Sequence, residues 1–181
     1  MEQPLPKIAA VLRDETLNAR DLTEEAIARH EKWDAKLGAY KTWDAEYARE
    51  QADAAATAFR AGHDLGPAQG IPFSVKDIYG AEGFPIFAGS PKALPEEWER
   101  DGTVVAGIRK QLAVVPGKTH TVEFAFGGVG TNPHWPTPRN PWDMANHRAP
   151  GGSSSGAGVS LHEGSAAIAF GTDTGGSVRV P

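Results

Sequence analysis

Short apolar runs alternate with helical segments along the second half of the chain, and that alternation restricts the fold more than any other feature. Ile71-Pro72-Phe73-Ser74-Val75, Ala113-Val114-Val115 and Ala166-Ala167-Ile168-Ala169-Phe170 read as short buried strands, the first running into Lys76 and Asp77. Between them a helix is expected over Thr103 to Gln111, with Val104, Val105 and Ile108 as its apolar stripe, and another over Ser155 to Glu163. Helix and strand in alternation predict an α/β class. The first sixty residues are expected to be helical. Ile8, Val11 and Leu12 have helical spacing, and Leu17-Asn18-Ala19 interrupts them. Thr23 stands as the N-cap of a second helix, and an alanine-rich third helix runs from Asp44 to Arg60, closed by Gly62. Thr121 to Phe126 is a helix or a strand that spacing does not settle.

Residues 127–152 carry five prolines, at 133, 136, 138, 141 and 150, and predict a long irregular loop of the kind that is functional or disordered. Directly after it the pattern Gly-Gly-Ser occurs at 151–153 and again at 175–177, on either side of the last helix and strand. A chain of 181 residues has room for one domain, and its 40% apolar and 23% charged residues are those of a soluble globular protein. The net charge of −5 argues against a nucleic-acid surface. The absence of cysteine removes disulfide, thiolate and cysteine–zinc chemistry together. Met1-Glu2-Gln3-Pro4 lacks a basic leader region and no apolar run reaches membrane-spanning length, so a cytoplasmic enzyme or binding domain is expected.

Three motifs fail on inspection. Gly117-Lys118-Thr119 would need a second glycine at Leu112 to be a phosphate loop, and Pro116 removes one of the N–H donors. Gly152-Ser153-Ser154-Ser155-Gly156 satisfies G-x-S-x-G, but that elbow needs an acid and then a histidine downstream. The only later histidine is His162, which precedes Asp173. The six histidines include no H-x-x-x-H pair, so His120, His134 and His147 read as loop or surface groups and no metal is expected. Trp135 and Trp142 read as packing anchors.

What survives is a set of longer motifs in order. Pro150-Gly151-Gly152-Ser153-Ser154-Ser155-Gly156, then Gly171-Thr172-Asp173-Thr174-Gly175-Gly176-Ser177-Val178-Arg179-Val180-Pro181, resemble the signature of the amidase signature family. Upstream, Gly70-Ile71-Pro72-Phe73-Ser74-Val75-Lys76-Asp77 is similar to the strand bearing that family's lysine. Gly117-Lys118-Thr119 with Glu123-Phe124, and Thr137-Pro138-Arg139-Asn140-Pro141-Trp142-Asp143, are similar to its connecting segments. The resemblance covers nearly the whole chain. It implies a mixed sheet covered by helices on both faces, with residues 1–65 as a helical arm and 66–181 as the N-terminal part of the catalytic domain. Because members of the family are longer, the chain is expected to be a portion of an amidase that lacks the later walls of the pocket.

Carried over residue by residue, the resemblance implies hydrolysis of a carboxylic amide through an acyl-enzyme, with Ser177 as nucleophile, Ser153 as bridging serine after a cis peptide bond, and Lys76 as base. A serine hydroxyl attacks only if a neighbour takes its proton, and a lysine takes it only when burial makes it neutral. Thr174, Gly175 and Gly176 are the implied oxyanion and substrate-binding positions, and Ala125 one near the substrate carbonyl. Asp173 and Arg179 are expected to brace that loop by pairing. No cofactor is implied. The expected partner is a small-molecule amide, with no nucleic acid and no membrane, and a homodimer is possible. Two alternatives stand beside this reading: an inactive paralogue with a binding or regulatory role, and the glutaminase component of a tRNA-dependent amidotransferase.

Overall fold

A computed structural model describes residues 3–181; Met1 and Glu2, which begin the stretch read for a leader, lie outside the described residues. Helix α1 (Leu5–Arg13) turns Ile8, Ala9 and Leu12 inward, while Val11, expected on the same stripe, is only half-buried. Helix α2 (Ala19–Leu37) starts earlier than expected. Asn18 Oδ1 accepts from Arg20 N at 2.8 Å and is the cap, while Thr23 is buried inside the helix with its hydroxyl unpaired. Gly38, at φ 58°, ends the helix in the left-handed conformation that glycine adopts without strain. Helix α3 (Ala45–Arg60) is capped by Asp44, which accepts from Tyr47 N, and Gly62 follows its end at φ 77°.

The first sixty residues are not all helical, because Tyr40–Trp43 forms strand β1. Strand β2 (Phe73–Lys76) and helix α4 (Thr103–Arg109) fall where expected, although Val104 on α4 is exposed and only Val105 is fully buried. Ala113-Val114-Val115 is buried but is no strand: it contributes one isolated bridge, Val114 to Pro72. Strand β3 is Gly117–Thr119, four residues on. Helix α5 (Ala157–Glu163) leads to strand β4 (Ile168–Phe170), which is half-buried because it occupies a sheet edge. Thr121 to Phe126 resolves as a 3₁₀ turn over Glu123–Ala125.

The sheet order is β1-β3-β2-β4, with β1 antiparallel to β3, and β3, β2 and β4 parallel. Alternation along β2 places helices on both faces. Phe73 and Val75 pack with Val105 of α4, Ala113 and Val115. Ser74 faces the other way, its Oγ 2.8 Å from Ser160 Oγ of α5.

No helix or strand lies within residues 127–152, yet the loop is firmly attached. Asn132 Nδ2 donates to Gly89 O and Thr121 O, and Trp135 Nε1 to Ser90 O. Lys41 Nζ lies 3.9 Å from the Phe87 ring and 3.8 Å from the Trp135 ring, a cation held between two aromatic faces. Trp135 is therefore the packing anchor expected of it. Trp142 is not: it is 86% exposed, and its ring lies 5.7 Å from that of His162.

Beneath the carboxyl ends of the strands lies a buried ion pair, Lys118 Nζ to Asp77 Oδ1 at 2.8 Å. Lys118 also donates to Pro85 O and Asp77 accepts from Phe87 N. Burial pushes the carboxyl up and the ammonium down, against the mutual attraction of the pair. Alanine at Asp77 leaves a buried ammonium without its counterion, and about 3–5 kcal/mol of stability is expected to be lost in denaturant unfolding.

Candidate active site

Three parallel strands end on one side of the sheet, the place where an open α/β sheet presents its ligand sites. Lys76 is the last residue of β2, Thr121 follows β3, and Gly171 to Ser177 follow β4. The turn carrying Ser153 closes over these ends. Its carbonyl accepts from Val122 N and Thr121 Oγ1, both at 3.0 Å, and Gly156 N donates to His120 O. The Gly152–Ser153 peptide is cis, as the resemblance implied. The first Gly-Gly-Ser has a steric explanation: Gly151 has φ 84°, and a Cβ there would stand 2.6 Å from Pro181 Cα, where the chain beyond Ser177 passes back.

Lys76 is completely buried. Its Nζ is 2.6 Å from Ser153 Oγ and 2.7 Å from Thr172 Oγ1. Burial lowers its pKa to about 8, with the negative charge of Asp173 pulling weakly the other way. An appreciable fraction of Lys76 is thus a neutral amine near pH 8, paired with a serine hydroxyl whose proton it can accept.

Ser177 is half-buried on the loop after β4 and is hydrogen-bonded to the residue that follows Ser153. Its carbonyl accepts from Ser154 N at 3.3 Å, while its Oγ has no hydrogen bond among the described residues. The structure therefore brings Lys76 and Ser153 into contact and places Ser177 on the neighbouring loop without joining its hydroxyl to Ser153. Asp173 braces that loop: it accepts from Gly176 N at 2.7 Å and Val178 N at 3.1 Å, and binds Arg179 through two nitrogens at 2.9 and 3.0 Å. The Arg179 guanidinium and these N–H groups hold its carboxyl far below the ordinary carboxylate range. Of the implied oxyanion positions, Gly176 has its N–H occupied by Asp173, whereas the N–H groups of Thr174, Gly175 and Ser177 have no partner among the described residues.

Ala125 lies in the 3₁₀ turn, at φ 59°, next to Phe124 at φ 47°. Consecutive non-glycine residues in the left-handed region are uncommon and gather at functional sites. Phe124 N donates to Ala88 O and Ala125 N to Val122 O. His120 is buried, and burial lowers its pKa to about 4, so it is neutral. His134 contacts Glu123. Among the described residues no group of three histidine or acidic side chains could hold a metal ion.

Sequence reasoning missed three features. Thr172 sits inside a quoted motif without a role, yet it is the second partner of Lys76. Tyr79, whose hydroxyl donates to Gly171 O at 2.8 Å, carries no sequence signal. Glu163 is buried and bound to His30 Nδ1 at 2.9 Å, across 133 residues of sequence. Nothing local to either residue announces that pair.

The family model described as Amidase matches residues 21–181. The chain is 56% identical over 177 residues to "2-amino-5-chloromuconic acid deaminase" of Comamonas testosteroni, covering 98% of this chain and 38% of that protein. It is 37% identical over 180 residues to a glutamyl-tRNA(Gln) amidotransferase component of Halorhodospira halophila (strain DSM 244 / SL1), covering 99% of this chain and 37% of the relative. A solved amidase structure superposes with a TM-score of 0.88 at 34% identity, over 97% of this chain and 39% of that one. The chain thus spans less than two-fifths of the length of the relatives it matches.

Proposed function

We propose that this chain, which belongs to the amidase family, carries the nucleophile and proton-transfer groups of a carbon–nitrogen hydrolase that works through an acyl-enzyme. The observation that supports it most is the fully buried Lys76, with a pKa of about 8, in contact with Ser153 at 2.6 Å. In this reading Ser177 Oγ bonds to the carbonyl carbon of an amide. Its proton passes to Ser153 Oγ as the proton of Ser153 passes to neutral Lys76. The resulting oxyanion is met by the free N–H groups of Thr174, Gly175 and Ser177; losing one such donor costs on the order of 10²–10³ in rate. The C–N bond then breaks, the leaving amine taking a proton from Ser153, which Lys76 replaces. Water attacks the acyl group by the same proton route, releasing the acid and restoring Ser177. Ala125, on its strained turn, is the position set against the substrate carbonyl. Residues 66–181 form the N-terminal part of the catalytic domain in this reading, with 1–65 as the arm.

The relative at 56% identity is named for deaminating 2-amino-5-chloromuconic acid, whose nitrogen sits on an unsaturated carbon and not on a carbonyl, so that reaction forms no acyl-enzyme. The substrate class that fits the route above is a carboxylic amide, and we assign it to the protein carrying this chain. A glutaminase role in a tRNA-dependent amidotransferase is the second reading, favoured by the 37% identity to a component of such an enzyme. Ammonia release from a 2-aminomuconic acid, from glutamine and from simple aliphatic and aryl amides separates the two. With an amide that turns over, acid quench and mass spectrometry are expected to show the acyl group on the peptide containing Ser177. An acyl group on another residue, or turnover with no trapped adduct on Ser177 under slow deacylation, removes the acyl-enzyme reading.

A further inference from the structure

We propose that Tyr79 is a positioning residue of this site: its hydroxyl fixes the backbone at Gly171 and thereby sets Thr172 Oγ1 against Lys76 Nζ. The inference rests on Lys76 acting as the base through Ser153. The parallel ladder between β2 and β4 ends at Val75 and Phe170. Beyond it, Gly171 to Ser177 have no strand neighbour, and the segment holding the nucleophile position depends on individual side chains. Two of them grip its first residues. Tyr79 Oη donates to Gly171 O at 2.8 Å, and Ser154 Oγ lies 3.3 Å from Thr172 N and 3.4 Å from Thr172 O. Gly171 fits between them closely, since a Cβ there would stand 2.6 Å from Ser154 Oγ.

Tyr79 is well placed to act as a fixed post. Its ring packs against the buried apolar cluster that includes Phe73 and Val75. Burial pushes its phenol pKa up, so the hydroxyl keeps its proton and remains a donor. Most tellingly, Ile78 N and Tyr79 N both donate to Lys76 O, at 2.7 and 3.1 Å. The base and the residue that fixes its second partner therefore share one tight turn. The chemical consequence concerns the direction of a lone pair. A neutral lysine that donates one N–H to Thr172 has its amine rotation restricted, which leaves the lone pair free to face Ser153. If Gly171 drifts, Thr172 drifts with it, and the amine spends its time in rotamers that cannot take the proton.

Tyr79→Phe removes one oxygen and keeps the packed ring. In the whole protein it is expected to lower kcat about ten-fold with KM changed less than about two-fold. In a Thr172→Val background the same change is expected to cost less than about two-fold, because both act through one contact. Hydrogen exchange of the 171–178 amides is expected to accelerate, while that of the β2 amides stays unchanged. A kcat within about two-fold of wild type overturns the proposal, as does a ten-fold loss that persists with Thr172→Val. A wild-type protein without Ser177-dependent turnover sinks the preceding functional reading instead. The exchange measurement then decides this one: unchanged 171–178 protection in Tyr79→Phe overturns it, and faster exchange there upholds it.

Discussion

Ser177→Ala is expected to lower kcat by on the order of 10⁵, with the far-ultraviolet spectrum and melting temperature near those of wild type. Removing a serine nucleophile removes the covalent route as a whole, because its proton-transfer partners have no other hydroxyl to activate at the carbonyl. The fold has little stake in that hydroxyl. Ser177 is half-buried, its Oγ bonds to nothing among the described residues, and the loop is held by its backbone and by Asp173. A fluorophosphonate probe reports the same point without a known substrate: wild type is expected to be labelled and Ser177→Ala not. Equal labelling of both, or turnover in the variant above about one per cent of wild type, removes Ser177 from its role.

The second large effect concerns Lys76. Alanine there is expected to lower kcat by on the order of 10³–10⁴, less than loss of the nucleophile because solvent can accept the Ser153 proton in part. The sign of the pH dependence follows from burial. In the proposed route the acting form is the neutral amine, so with a pKa of about 8 log(kcat/KM) is expected to rise with unit slope below that pH and level off above it. Arginine at the same position stays protonated throughout and is expected to be as inactive as alanine.

Stability carries the same signature. The folded pKa of about 8 lies below the ordinary lysine value of 10.5, so between those values the unfolded chain binds more protons than the folded one. Stability contributed at this site therefore rises with pH across that window, and below it the buried ammonium is a burden. Lys76→Met is expected to raise the melting temperature at pH 7 while abolishing activity. A melting temperature that falls overturns the burial argument, and an acidic limb that remains centred near pH 8 in the residual activity of Lys76→Ala disconnects this lysine from the catalysis.

Legibility in the sequence followed the locality of the interactions. Helix α3 could be read because its cap, its alanines and its closing Gly62 all lie within its own turns. The start of α2 could not: Asn18 and Thr23 are both able caps, and the choice fell to Asn18 because α2 packs Thr23 inward. The strands show the same division. Ala113-Val114-Val115 is the more apolar segment and is buried, but Gly117-Lys118-Thr119 is the one whose backbone meets β1 and β2. Apolar content predicts burial, whereas a ladder requires a neighbour at the right distance and register.

The site divides along the same line. Resemblance to the amidase signature family singled out Lys76, Ser153 and Ser177, the glycines that let the backbones pass closely, and the loop braced by Asp173 and Arg179, because long motifs preserve relative position along a chain. Only the tertiary structure decided that Lys76 is buried enough for its pKa to fall to about 8, that Thr172 is its second partner, that Tyr79 holds Gly171, and that Gly176 has its N–H occupied while its neighbours do not. These are matters of desolvation and of distances of a few ångströms between segments far apart in sequence, such as Lys76 and Thr172 at a separation of 96. A residue's chemical type is written in the chain, but its pKa and its hydrogen-bond partners belong to the environment that folding builds around it.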